Sequence, residues 1–379
     1  MSEVYITRTA SYMPNEPVSN DEMESYLGQI GEKASKSRRI VLRNNGIENR
    51  FYAIDESGRP THTNAELASL AIRNLVNSTE ELKEIDLLTC GTSIPDQMMP
   101  SHAVMVHGWL PETNNIEVIS PAGNCCSGMH AFKYAYMSLK VGDKKKAVCT
   151  GSERLSRALH ADHFELEVSK MRELEQNANL SFDKDFLRWM LSDGAAAFMM
   201  QTEKNEDGPS LRVDWVEAFS FANEAETCMY MACDKEADGT VKSFMDYTTD
   251  EIVEKSIYSV KQDVKLLGPN IVSLGFKKLH ETLVAKGVTP EDVTYFLPHM
   301  SSYFFQPKIA DALEEYGFPI PEEKWFTNLK TKGNVGAGSI YLMVDELFNS
   351  GKLKKGDKIL LAVPESARFS YVFSLLTVC

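Results

Sequence analysis

Short apolar runs alternate with amphipathic stretches along most of the chain, and they predict a succession of strands and helices. Tyr5 to Tyr12 reads as an opening strand, closed by the turn Met13-Pro14-Asn15. Ser19 and Asn20 are N-cap candidates for a helix over NDEMESYLGQI, with acidic residues in its first turn. NAELASLAIRNLVN predicts a helix from Asn64, and IDLLTCGTS the strand after it. IEVIS, PAGNCCSG and MHAFKYAYMSLK, from Ile116 to Lys140, read as strand, tight turn and buried helix. AAAFMMQ is a small-residue strand that follows Ser192-Asp193-Gly194. The charged and aromatic segment from Arg154 to Leu191 predicts one or two helices that cap something.

The order of these units repeats. FKKLHETLVAKGVTPEDVTYFLPHMSS has the same helix, acidic connection, strand and polar turn as the segment from Asn64 to Ser93. Setting Leu75-Val76 against Leu283-Val284 aligns the two without a gap and places Gly91 opposite His299. LKVGDKKKAVCTGSE and LKKGDKILLAVPES form a second pair, each after a helix that begins in a small-residue turn, NCCSG or GNVGAGS. A duplicated βα unit predicts two α/β halves, 1–205 and 206–379, joined near the polar turn Glu203 to Pro209. No flexible linker separates them, so they are expected to share an interface.

A net charge of −14 argues against nonspecific nucleic-acid binding. The N-terminus lacks the basic start and apolar core of a signal peptide, and no apolar run reaches the roughly 20 residues needed to span a bilayer. Seven cysteines without framework spacing suggest free thiols in a reducing cytoplasm. One basic run, Lys33, Lys36, Arg38, Arg39, Arg43 and Arg50, is either a solvated face or a docking surface for an acidic partner.

Three residue types stand at strand ends or helix starts, where ligands bind in doubly wound sheets: Cys126, His299 and Asn334. A cysteine that opens a helix feels the positive end of its dipole, which favours the thiolate. Cys126 is placed better than Cys125, because Ser127 and Gly128 leave room for a carbonyl beside it. On this stretch alone the pair also fits two small buried hydrophobes. His299 also fits a satisfied core histidine, and Asn334 a turn residue. If the three converge, they suit acyl transfer, with the sulfur carrying the acyl group and the other two bonding a carbonyl oxygen. His160 and His163 lack the companions of a metal site, and GNVGAGS lacks the lysine of a P-loop, so no metal, nucleotide or other cofactor is expected.

NCCSGMHAF, AVCTGSERLS, LSDGAAAF, FLPHMSS and GNVGAGSIYLMVDELF resemble, in order, the motifs of β-ketoacyl-acyl carrier protein synthase III. The resemblance covers nearly the whole chain. It implies a thiolase-like five-layer αβαβα fold and a homodimer. It implies acylation of Cys126, with His299 and Asn334 holding the carbonyl of a second thioester. Backbone amides of Cys126 and Ala367 would line an oxyanion hole, and Met99 would reach the acyl tunnel of the partner subunit. The substrates implied are thioesters of acyl carrier protein or coenzyme A.

Departures sharpen the picture. The family's glycine-rich loop is here PESARFS, and Glu365 brings a carboxylate near the expected site. Phe304 stands where the family's coenzyme A clamp has an arginine, which favours a carrier-protein donor docking on the 33–50 patch. RRIVLRNNGI and PESARFS look most like ketosynthases of dialkylresorcinol and flexirubin-type pigments, which join a 3-oxoacyl chain to an unsaturated acyl chain and give a cyclohexanedione. Two other functions share these motifs: acyl transfer to an alcohol or amine, and a non-catalytic partner subunit of another ketosynthase.

Overall fold

The computed structural model describes residues 2–30, 38–163 and 187–379. Most of the expected capping segment, 164–186, lies outside them, as do Lys33 and Lys36. The strands of the main sheet are β1 (Tyr5–Tyr12), β2 (Leu87–Gly91), β3 (Glu117–Ile119), β4 (Lys146–Glu153), β5 (Gly194–Gln201), β6 (Leu211–Ser220), β7 (Tyr295–Pro298), β8 (Lys358–Glu365) and β9 (Ser370–Val378). Six helices pack on them: α1 (Asn64–Leu75), α2 (His102–Gly108), α3 (Cys125–Val141), α4 (Val264–Lys286), α5 (Gln306–Glu315) and α6 (Ser339–Phe348).

The sheet order is β7-β8-β9-β6-β1-β5-β4-β2-β3. Outward from the central antiparallel pair β1 and β6, each side adds an antiparallel strand, then two strands running parallel to each other. On the first side β3 extends this run in parallel. On the other, Trp325 makes an isolated parallel bridge to Phe296 in the equivalent place. The symmetry follows the duplication in the chain: the paired segments form α1-β2 against α4-β7, and β4 against β8.

Alternation along the strands divides the apolar side chains into layers. Ala147 and Cys149 of β4, Phe198 of β5 and Leu361 of β8 face a central core that contains α3 and α6. Val148, Ala197 and their neighbours face α1 and α2. Leu360, Ala362 and Phe373 face α4 and α5. Helices therefore lie on both outer faces and between the two halves of the sheet, which makes five layers. Tyr341 of α6 donates to the Gly128 carbonyl of α3 at 2.8 Å and stacks on Phe198, so the two central helices are locked together.

Local signals explain the helix ends. Thr63 and Glu66 form a reciprocal cap at α1, and Gly142 closes α3 in the left-handed region. The expected helix over NDEMESYLGQI is shorter, Met23–Leu27, and ends at Gly28, whose φ of 70° leaves the helical region. The basic run is not one cationic face. Arg50 is buried, donating to the Trp189 carbonyl and to Asn20, and Arg38 pairs with Glu24 at 2.9 Å. A guanidinium carries five donors, and interior carbonyls satisfy them well enough to draw Arg50 inward.

Candidate active site

A cavity of about 550 Å³ opens where the strand ends of the two halves meet. Cys125, His299 and Asn334 all line it, although they come from distant parts of the chain. His299 follows β7 and is held by its backbone N–H, which donates to Ala362 at 2.8 Å. Burial pushes its imidazole down to about 4, so the ring is neutral near pH 7. Its Nδ1 is buried and has no partner among the described residues. Asn334 is fixed by its backbone, with its N–H on Met190 and its carbonyl accepting from Ser192. Its Oδ1 accepts from the Gly336 amide at 3.0 Å, which leaves the Nδ2 donors to other partners.

Cys126 lies deeper than His299 or Asn334. It does not line the cavity. Its side chain is fully buried in the central core, and its thiol donates to the Val363 carbonyl at 3.3 Å. Cys125 lines the cavity instead, at the first position of α3. Neighbouring helical residues point about 100° apart, so the two thiols meet different surroundings. Cys126 continues the core stripe Met129, Phe132, Ala135 and Leu139 at intervals of three and four, and Cys125 is partly buried at the edge of the same core.

Glu365 does reach this region. It is 7% exposed, and its Oε2 accepts from the amides of Asn124 at 2.8 Å and Cys126 at 3.0 Å. The Cys126 amide, expected in an oxyanion hole, is therefore engaged by a side chain. Burial raises the Glu365 carboxyl, and the two amides oppose that. Both neighbouring thiols are pushed up, first by burial and then by the Glu365 charge.

Ala367 lines the cavity, and its carbonyl accepts from the Cys228 and Met229 amides. Met99 does not line this chain's cavity. It is 85% exposed, and its neighbour Met98 lies on the wall. Phe304 is exposed, with the Lys308 ammonium 4.3 Å from its ring centroid.

Sequence reasoning missed Glu153. This buried carboxylate at the end of β4 accepts from the Ser93 amide and hydroxyl and from the Ala337 amide. It thereby joins the turn after β2 to the loop that carries Asn334. Burial lifts its carboxyl to about 7. The rest of the cavity is largely apolar, with Leu155, Met190, Tyr258, Leu267 and Phe276 on its wall. Among the described residues no cluster of His, Cys, Asp or Glu could hold a metal ion, and no helix is long and apolar enough to cross a membrane.

Comparison with known proteins places the fold. Residues 283–364 match the family model for the C-terminal part of 3-oxoacyl-[acyl-carrier-protein] synthase III. β-Ketoacyl-[acyl-carrier-protein] synthase III of Clostridium perfringens is 24% identical over 357 residues, covering 92% of each chain. Two solved structures superpose over nearly the whole length. The 3-oxoacyl-(acyl carrier protein) synthase III of Pseudomonas aeruginosa has a TM-score of 0.72 at 17% identity, covering 100% of this chain and 98% of its own. OleA of Xanthomonas campestris, solved with lauric acid and lauroyl-CoA, has a TM-score of 0.73 at 19% identity, covering 99% of both. The fold is the thiolase-like α/β fold of these proteins.

Proposed function

We propose that this chain, similar over its length to the synthase III ketosynthases, is a condensing enzyme that is acylated on Cys125 and joins the acyl group to a second acyl thioester. The observation that carries this reading is that a cysteine at a helix start, a neutral imidazole and a carboxamide share one largely apolar cavity. In the first step the Cys125 sulfur attacks an acyl thioester carbonyl, and the carrier leaves as a thiol that takes up the cysteine proton. In the second step the donor's α-carbon attacks the acyl carbonyl, and the Cys125 thiolate is released. The ring of His299 and the amide of Asn334 hold the donor's carbonyl oxygen as it gains negative charge.

The donor's carbanion forms by loss of carbon dioxide from a malonyl unit, or of a proton to solvent from a 3-oxoacyl chain, and the released thiolate takes up a proton in turn. Two features favour the 3-oxoacyl donor. The described cavity wall has no Lys or Arg to hold a malonyl carboxylate, and Glu153 and Glu365 already place two carboxyls nearby. A carbon between two carbonyls is acidic without decarboxylation. The long apolar wall suits an extended acyl chain. With the PESARFS segment, this supports the joining of a 3-oxoacyl and an unsaturated acyl chain to a cyclohexanedione, on an acyl carrier protein or coenzyme A. One chain of two halves, 1–205 and 206–379, paired with a second copy as a homodimer, completes the reading.

Intact mass after incubation with an acyl thioester should show one covalent acyl group, and a 3-oxoacyl donor should then give a carbon–carbon product. His299→Ala and Asn334→Ala should keep the adduct and slow condensation by roughly 10²–10³-fold, the usual cost of losing an oxyanion donor. An adduct without condensed product, discharged to an alcohol or amine, would replace this reading with simple acyl transfer. No adduct at all would leave a non-catalytic subunit.

The buried His299 also predicts a pH dependence. A ring that protonates only near pH 4 stays neutral through the usual imidazole range. Single-turnover condensation by the pre-acylated Glu153→Gln protein, which lacks the carboxyl that is lifted to about 7, should therefore show no acid limb centred near 6.5. A fall centred there would mean that water reaches the ring.

A further inference from the structure

We propose that Glu365 is a positioning residue that clamps the turn around Cys125 from the opposite half of the fold and sets the reactivity of that thiol. The clamp is geometric. Glu365 ends β8, and its Oε2 accepts from Asn124 and Cys126, the amides on either side of Cys125. Gly123, just before them, packs against the same oxygen: a Cβ there would stand 3.4 Å from it. Among the described residues no cation pairs with this carboxylate.

The position has an electrostatic consequence. The start of a helix is a site of positive potential that favours an anion. In this chain that potential is spent on a resident carboxylate, so the thiolate gains little from it. The charged and titratable groups around Cys125 point the same way. They are Glu365 from β8, Glu153 from β4, the neutral His299 after β7 and the Cys126 thiol next along the helix; Asp96 stands on the cavity wall. None is a cation. The thiol is correspondingly pushed up by burial, then by Glu365 and then by Glu153. A nucleophile so placed rests as a thiol and resists adventitious alkylation and oxidation, because the thiolate is the reactive form.

This inference rests on the proposal that Cys125 is the nucleophile, and its test reads a different property. The full-length protein is treated with iodoacetamide from pH 6 to 10, and modification of Cys125 is followed by peptide mass spectrometry. Glu365→Gln keeps an oxygen for the two amides and removes the charge. A thiolate is then easier to form, so the midpoint of the profile should fall, and the rate at pH 7.5 should rise about tenfold, equivalent to one pKa unit. Glu365→Asp, which keeps the charge, should stay within about threefold of wild type. A Glu365→Gln profile that superimposes on wild type, or moves to higher pH, overturns the proposal. Should that variant fail to fold, Glu365→Ala, which also removes the charge, should lower the midpoint likewise, and a profile that superimposes on wild type or moves to higher pH is contrary. Loss of the acyl adduct would refute the nucleophile without touching this profile, so the two failures are distinguishable.

Discussion

Cys125→Ala is expected to abolish the acyl adduct, whereas Cys126→Ala keeps it. The first change removes the one cysteine on the cavity wall and should reduce condensation by at least roughly 10³-fold, as losing a nucleophile does elsewhere. The fold should survive, since a cysteine at the first position of α3 contributes little to the core. The second change removes a thiol that is buried against Val363. Its cost is mainly stability, about 1 kcal/mol for one hydrogen bond and some packing. Intact mass after acyl-thioester treatment, with the modified peptide sequenced, distinguishes the two. An adduct lost in Cys126→Ala and kept in Cys125→Ala would reverse the assignment.

The second large effect is steric. Gly151 of β4 and Gly128 of α3 both lie against the carbonyl oxygen of Ala337, in the loop that carries Asn334. A Cβ built on either glycine falls inside the contact distance of that oxygen, and at Gly151 it also comes 3.0 Å from the Gly338 backbone. Backbone atoms cannot turn aside as a flexible side chain can. Gly151→Ala should therefore cost about 3 kcal/mol, the upper end for overpacking, and should push the Asn334 loop away from the cavity. Urea unfolding should show the lower midpoint, and condensation should fall even where the folded protein still forms the adduct. Gly268→Ala serves as the control, because a Cβ there meets nothing within 4 Å. Replacing a helical glycine with alanine should leave the midpoint unchanged or raise it slightly. A Gly151→Ala protein as stable as wild type would mean that the loop can yield.

The loop and the clamp serve one arrangement. Glu153 holds the Asn334 loop from the first half, and Glu365 holds the Cys125 turn from the second. Each half thus positions a residue that the other supplies. That crossing makes the site depend on the interface between the halves.

Periodicity along the chain already contains the opening strand Tyr5–Tyr12, the helix from Asn64, the helix after NCCSG and the repeat that relates the halves, because each depends on local spacing and on turn residues that act within a few positions. The candidate roles of His299 and Asn334 were legible for the same reason, since both stand at the end of an apolar strand or in a small-residue turn. Three matters were left to tertiary packing. The choice between Cys125 and Cys126 turns on which side of α3 meets the second half of the sheet, a rotation of about 100° that adjacent positions cannot express. Arg50 lies inside and not on a docking face because carbonyls far along the chain receive its guanidinium. Glu365 and Glu153 matter through amides 60 to 241 residues away, and a carboxylate's partners follow from chain folding, not from its neighbours in sequence.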